Sequence, residues 1–264
     1  GGSLLGSLFA GCFAMCMPGT PNEVKMLISY PIMFIPPMIY ARMRSLRNSM
    51  FDDGYSLDSE NFGKIGILGC AGLAMLSTLA LGFAMDMVNA RMPEMPQWLK
   101  TALESMTGGN VILNFICVSV FAPFFEEWLC RGMVLRGLLH CTRRPGKNGE
   151  LRKGFSPAVA IIISALFFAL IHMNPWQAIP AFALGCLFGY VYYKTGSLKL
   201  TMLMHFTNNT LALIAGNIDA LKDMETWCDV MSAPAYYGLA ALCIVFLVFA
   251  IRVFNRIPAE GSQD

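Results

Sequence analysis

Charged residues are scarce in this 264-residue chain. Asp, Glu, Lys and Arg make up 14% of it, against roughly 25% in soluble domains. Hydrophobic residues reach 56%, and the formal net charge is only +2. The sequence also lacks a basic stripe interleaved with aromatic residues, so nothing in it indicates nucleic-acid binding. This composition excludes an ordinary soluble domain and indicates an integral membrane protein, with the lipid bilayer as a partner.

The cysteines lack any metal-binding or disulfide pattern. Nine of them are scattered along the chain, with no C-x-x-C pair and no C-x-x-C…H arrangement. Neither a zinc finger nor a disulfide framework is therefore indicated. Histidine is rarer still, with three in the whole sequence.

Long apolar runs are abundant. A membrane-spanning helix needs about 20 mostly apolar residues, and fewer if it is short or re-entrant. The runs predict an all-α, polytopic bundle of about eight transmembrane helices, and residues 96–107 predict a short interfacial helix. The predicted spans are 3–18, 24–41, 65–87, 110–138, 157–173, 176–193, 198–216 and 234–254.

These spans divide the chain into N-terminal helices (1–109), a core of four spans (110–216) and a C-terminal helix with its tail (217–264). Lys and Arg orient the bundle, because cytoplasmic loops carry an excess of both. Fourteen lie in one alternating set of loops and the tail, and four lie in the other set. Both termini are therefore predicted to be cytoplasmic, at the inner membrane if the cell is bacterial. The first residue is Gly rather than Met, so we also expect the natural N-terminus to lie upstream.

Few ionisable residues interrupt the spans. Such residues are costly in a bilayer and are functional candidates by default. Asp86 lies near the end of a span, where it can reach water, so we interpret it as structural. The remaining candidates are Glu126, Glu127, Arg131, His172 and His205.

The stretch EEWLCR places two adjacent glutamates and an arginine at the end of an apolar run. On a helix, Glu127 and Arg131 project about 40° apart, so they can form an ion pair. Glu126 projects about 140° away from Arg131. One carboxylate is thus predicted to be anchored, and the other to be available as a general base or a cation ligand. A purely structural pair that holds two spans together is the plainer interpretation of Glu127 and Arg131.

Two later spans each add polar groups at helical spacing. Phe168 and His172 are four residues apart, as are His205 and Asn209, so each pair shares a helix face. A single membrane histidine usually only links two helices. With Glu126, however, the two histidines supply the ligand types of a three-ligand zinc site with an open position for water. Without a metal, Glu126 and one histidine can act as bases, while the other histidine and Asn209 bind an oxyanion.

The ordered set of three motifs resembles a known family. The motifs are Glu126-Glu127-x-x-x-Arg131, Phe168-x-x-x-His172 and His205-x-x-x-Asn209, on successive helices. They are similar to those of the CPBP intramembrane proteases, which include Rce1-type CAAX prenyl endopeptidases and bacterial bacteriocin-processing and self-immunity relatives. The resemblance covers about residues 110–216, and the motifs are intact, which favours an active enzyme.

The resemblance implies an intramembrane endopeptidase of a membrane-presented peptide or protein. It implies that Glu126 and His172 activate the hydrolytic water, and that His205 and Asn209 stabilise the oxyanion. If the cell is bacterial, a peptide pheromone, a bacteriocin leader or a membrane protein is the expected substrate.

The resemblance leaves the cofactor open. The family is classed with metalloproteases, which implies zinc at Glu126, His172 and His205, yet its residues also permit hydrolysis without a metal. Glu127 and Arg131 would support the first motif. Two other classes of function stay open: a proton or cation relay, and a non-catalytic membrane scaffold. A relay predicts internal repeats or paired broken helices, and the sequence shows neither.

Overall fold

A computed structural model describes residues 11–13, 15–17, 19–47, 60–107, 109–140, 155–219, 221, 224 and 226–259. Within these residues the chain is helical and forms no strand, which confirms the all-α prediction. The helices that position the site are α1 (Asn22–Arg47), α2 (Gly66–Asn89), α3 (Gln97–Thr107), α4 (the continuous run from Val111 to His140), α5 (Pro157–Leu170), α6 (Pro175–Thr195), α7 (Leu198–Gly216) and α8 (Ala233–Phe254).

Seven of the eight predicted spans lie on these helices, and the interfacial segment corresponds to α3. Within the part of the chain that the structure describes, three stretches are long and apolar enough to cross a membrane: Gly63–Asn89, Val111–Leu139 and Ala233–Phe254. Together they indicate an integral membrane protein. The count of eight spans and the orientation of the termini stay predictions. The predicted span 3–18 lies mostly outside the described residues.

Polar caps fix where the helices around the site begin. The side-chain oxygens of Asn110, Asn174 and Ser197 accept hydrogen bonds from first-turn backbone N–H groups of α4, α6 and α7. These N–H groups have no partner within the helix, so each cap supplies one. Gly196, at a φ of +65°, ends α6 in the left-handed conformation that favours glycine. The short connections that result place α5, α6 and α7 next to one another in sequence and in space.

Helix α2 packs against α6, α7 and α8, and its buried face carries Cys70 and Ala74. Both residues belong to a cluster of buried apolar side chains. Because lipid tails are as apolar as leucine, this cluster stabilises the fold through close packing. The cluster is completed by Leu184, Leu187, Phe188, Val191, Leu200, Met204, Phe254 and Ile257.

Gly185 and Gly189 form the small-residue face that their spacing on α6 predicts. A Cβ on Gly185 would lie 3.1 Å from both the Cα and the Cβ of Ala165 on α5. A Cβ on Gly189 would lie 3.2 Å from the Cγ2 of Ile161 on the same helix. The two glycines therefore let α5 and α6 approach more closely than side chains would allow.

The interpretation of Asp86 as a residue that reaches water is wrong. Its side chain is buried at the end of α2, where Oδ2 accepts hydrogen bonds from the Tyr236 hydroxyl (2.8 Å) and the Trp227 N–H (3.1 Å). Both partners lie more than 140 residues away in the chain. Asp86 is structural, as expected, but it acts by joining α2 to α8 and to the segment before α8.

Candidate active site

The first motif lies on a helix that is not uniformly α-helical. In α4, π-helical stretches at Phe115–Phe121 and Trp128–Leu135 flank one α-helical segment, Ala122–Glu127. Pro123 has no N–H, so one bond of the α-helical ladder is missing where the first π stretch ends. Wide π turns are rare and are frequent at functional sites. Glu126 and Glu127 thus end a short α-helical segment between two wide turns.

Glu127 and Arg131 form the ion pair that their spacing predicts. Arg131 Nη1 donates to Glu127 Oε1 over 2.7 Å, and both side chains are fully buried. Burying two charges costs several kcal/mol per ion, a penalty that only close pairing and further hydrogen bonds offset. The second carboxylate oxygen, Glu127 Oε2, is buried without a protein hydrogen-bond partner among the described residues.

The Arg131 guanidinium also contacts two neighbouring helices. Its Nη2 donates to the backbone oxygen of Gly185 on α6 over 3.0 Å. Its central carbon lies 4.7 Å from the centroid of the Phe168 ring on α5 and 5.3 Å from that of Phe188 on α6. Cation–π attraction of this kind is stronger when the cation is desolvated. Arg131 therefore links α4 to both α5 and α6.

His205 on α7 shares the Glu127 carboxylate with Arg131. Its Nδ1 lies 3.0 Å from Glu127 Oε1, the oxygen that also accepts from Arg131. Because a carboxylate only accepts, Nδ1 carries the proton in this contact. The other ring nitrogen, Nε2, lies 4.0 Å from Glu126 Oε2, a gap that suits a bridging water rather than a direct hydrogen bond. The two phenylalanine rings that face Arg131 also flank this imidazole.

His172 lies just beyond the last residue of α5. Its Nδ1 is 2.9 Å from the carbonyl oxygen of Phe168, so Nδ1 is the donor and Nε2 of the neutral ring can accept a proton. The chain turns sharply at Met173, whose φ is +55°, and the Asn174 side chain donates back to the His172 carbonyl over 2.9 Å. The Phe168 ring packs edge-on against His172 and against His205, which links the second motif to the third.

Asn209 lies one turn after His205 and faces the first π stretch. Its Nδ2 donates to the carbonyl oxygen of Val118 over 2.8 Å, and its Oδ1 accepts from Asn208 over 3.1 Å. These bonds fix the amide plane between α7 and α4. A primary amide has two N–H bonds, so the second remains available for the predicted oxyanion role.

Glu126 has a partner that the sequence did not indicate. The hydroxyl of Tyr30 on α1 donates to Glu126 Oε1, and the Glu126 side chain is 14% exposed. Tyr30 belongs to none of the three motifs. Its position relative to Glu126 depends on how α1 packs, which helical periodicity does not reveal.

The segment that carries the three motifs matches a family model. Residues 108–211 match the model described as "Type II CAAX prenyl endopeptidase Rce1-like". The match covers less than half of the chain and shows what this segment is similar to. The match confirms the family that the motifs resemble. Neither a curated protein nor a solved structure matches the chain. Glu126, His172, His205 and Asn209 all lie within the Rce1-like segment, whereas Tyr30 lies before it.

The described side chains of the Rce1-like segment do not fit a metal ion in their present arrangement. Among the described residues, no group of three or more His, Cys, Asp and Glu side chains is placed to hold one. His205 and Glu126 offer two donor atoms, 4.0 Å apart, but a catalytic zinc needs three protein ligands at about 2.0–2.2 Å. Zinc at Glu126, His172 and His205 therefore stays a prediction.

Proposed function

We propose that this chain is an intramembrane endopeptidase in which Glu126 is the general base. The observation that carries the proposal is the meeting of Glu126, Glu127 and Arg131 of α4 with His205 of α7 inside the Rce1-like segment. Charged residues within a membrane are costly in free energy, so they are functional candidates by default. Of the two carboxylates, Glu126 is the one without a cationic hydrogen-bond partner, so it is the one available for chemistry.

In the proposed reaction a water molecule binds between Glu126 Oε2 and His205 Nε2. Its oxygen attacks the scissile carbonyl carbon while its proton passes to Glu126. The carbonyl oxygen then carries the negative charge. In this scheme His205 carries a proton on both ring nitrogens before the attack and keeps both, and its Nε2–H and the second N–H of Asn209 donate to that oxygen. When the C–N bond breaks, the proton on Glu126 passes to the leaving amine, which restores the carboxylate.

The remaining polar groups of the site also have roles in the proposed reaction. The Glu127 carboxylate accepts from His205 Nδ1 and so holds the imidazole ring with Nε2 on the side of Glu126. Arg131 keeps that carboxylate in place and compensates its charge. His172, whose Nδ1 donates to a backbone carbonyl, is the proposed second acceptor for the water protons through its Nε2.

The proposed substrate is a protein or peptide tail presented at the membrane. The family description names CAAX prenyl endopeptidases, so a prenylated peptide that ends in a CAAX sequence is the first probe. Cleavage would be measured on the purified protein in detergent, with the unprenylated peptide as a substrate control.

We expect Glu126→Gln, His172→Ala and His205→Ala each to lower the cleavage rate by about a hundredfold or more, since general-base groups contribute about 10²–10⁴-fold. Glu104→Gln makes the same chemical change at an exposed site on α3 and should leave the rate unchanged. A folded wild-type protein that cleaves neither peptide, nor a membrane-protein substrate, would instead favour the scaffold or the relay.

A further inference from the structure

We infer that Tyr30 is a positioning residue for Glu126, supplied by a helix outside the Rce1-like segment. The inference rests on the proposed function, because it gives Tyr30 a part in the same reaction. Tyr30 lies on α1 (Asn22–Arg47), whereas the family match begins at residue 108.

The contacts of Glu126 divide between its two carboxylate oxygens. Oε1 accepts from the Tyr30 hydroxyl, while Oε2 faces His205 Nε2 at 4.0 Å. A donor on Oε1 restricts rotation of the carboxylate about its last torsion. The oxygen that would take the proton from water is then held toward His205. Without this bond, the carboxylate can rotate freely among orientations, and fewer of them are productive.

Helix α1 is placed against α4 by contacts on a single face. Glu23, Tyr30 and Phe34 are separated by seven and four residues, the spacing of one helix face. Glu23 Oε1 accepts from the backbone N–H of Asn110 over 3.2 Å, at the start of α4. The Phe34 ring is 3% exposed and stacks on Phe125 with 4.9 Å between the ring centroids.

The contacts of Glu23 and Phe34 lie on either side of Tyr30 along α1. Phe34 lies one turn after Tyr30, and Phe125 immediately precedes Glu126, so the aromatic contact and the hydrogen bond fall next to each other. The rings of Tyr30 and Phe34 also contact each other, with centroids 5.6 Å apart. The hydroxyl of Tyr30 is therefore directed at Glu126 by packing that does not involve the hydroxyl itself, which makes it removable without loss of the helix contact.

The test is Tyr30→Phe, with Tyr40→Phe as the matched control. Tyr40 lies on the same helix but is 59% exposed, so the control removes a hydroxyl from the same helix at an exposed site. We expect Tyr30→Phe to lower kcat for the prenylated peptide by about tenfold or more, since a hydrogen bond to a charged group is lost. KM and the thermal midpoint should stay at the wild-type values, and Tyr40→Phe should change none of the three.

A second readout does not depend on activity. The infrared carboxylate band of Glu126 can be assigned by its loss in Glu126→Gln, and it should shift in Tyr30→Phe but not in Tyr40→Phe. An unshifted band would overturn the inference whether or not the protein cleaves the peptide. A kcat within twofold of wild type, or a kcat loss that follows a lower thermal midpoint, would overturn it while leaving the proposed function intact. Failure of the proposed function would appear separately, as a wild-type protein without activity.

Discussion

At the scale of single residues, the two adjacent glutamates of the first motif have opposite environments. Glu127 is fully buried, and its Oε1 accepts from both Arg131 and His205. Glu126 is partly exposed and has a neutral hydroxyl as its closest partner, from Tyr30. Residues that differ by one position on a helix project about 100° apart, so adjacency in sequence does not imply a shared role. Their substitutions should therefore separate stability from catalysis.

We expect Glu127→Gln and Arg131→Met each to lower the free energy of unfolding by about 3–5 kcal/mol, because each leaves a buried charge without its partner. Glu126→Gln is the matched control for Glu127→Gln, one residue away, and should change stability by less than about 1 kcal/mol. Thermal or denaturant unfolding of the purified proteins in detergent measures all three. If Glu126→Gln destabilises the protein as much as Glu127→Gln does, the division of roles between the two glutamates is wrong.

At the scale of helices, the site depends on how closely α5 and α6 approach. Gly185 lies against Ala165 of α5, and its carbonyl oxygen accepts from Arg131 of α4. Gly185 thus sets the spacing between α5 and α6 and supplies a hydrogen-bond acceptor to the buried guanidinium of Arg131. A change at this position should move α6 and weaken both contacts.

We expect Gly185→Ala to lower the free energy of unfolding by about 1–3 kcal/mol, because the new methyl would meet backbone and Cβ atoms at 3.1 Å. Gly72→Ala is the matched control. Gly72 is also within a helix, α2, but a Cβ there meets nothing within 4 Å, so alanine should be neutral or stabilise by up to about 1 kcal/mol. Equal behaviour of the two variants in an unfolding experiment would contradict the close approach of α5 and α6.

At the scale of the whole molecule, the three motifs come from α4, α5 and α7 of a membrane bundle, and α1 packs against α4. Helix α2 packs on α6, α7 and α8, and a hydrogen bond from Tyr236 to Asp86 links the end of α2 to α8. The bundle therefore assembles one polar site from several spans. Whether that site works with a metal ion is a separate question.

Elemental analysis of the purified protein decides that question. The proposed reaction uses no metal, so it predicts well below one zinc per chain, and among the described residues no third ligand joins His205 and Glu126. A chelator should then leave peptide cleavage unchanged. Near one zinc per wild-type chain, lost when His172→Ala and His205→Ala are combined, would contradict this expectation and make the protein a metallopeptidase.

The sequence by itself determined the features that depend on local helical geometry. Apolar runs of about 20 residues predicted the helices of a membrane protein, and the bounds of α7 and α8 were predicted to within one residue. A spacing of four residues predicted the Glu127–Arg131 pair, because side chains one turn apart meet whatever surrounds the helix. The ordered motifs predicted the family that the match over residues 108–211 confirms.

Only the tertiary structure decided which helix faces meet. Periodicity tells which residues share a face, but not the distant residue that lies opposite. Tyr30 and Glu126 are 96 positions apart, and Asp86 and Tyr236 are 150 apart, so neither contact could be inferred from spacing along one helix. The π-helical stretches of α4 were likewise hidden, because they arise when packing shifts the backbone hydrogen-bond ladder by one residue. The sequence supplied the reactive groups, and the packing of the helices decided their partners.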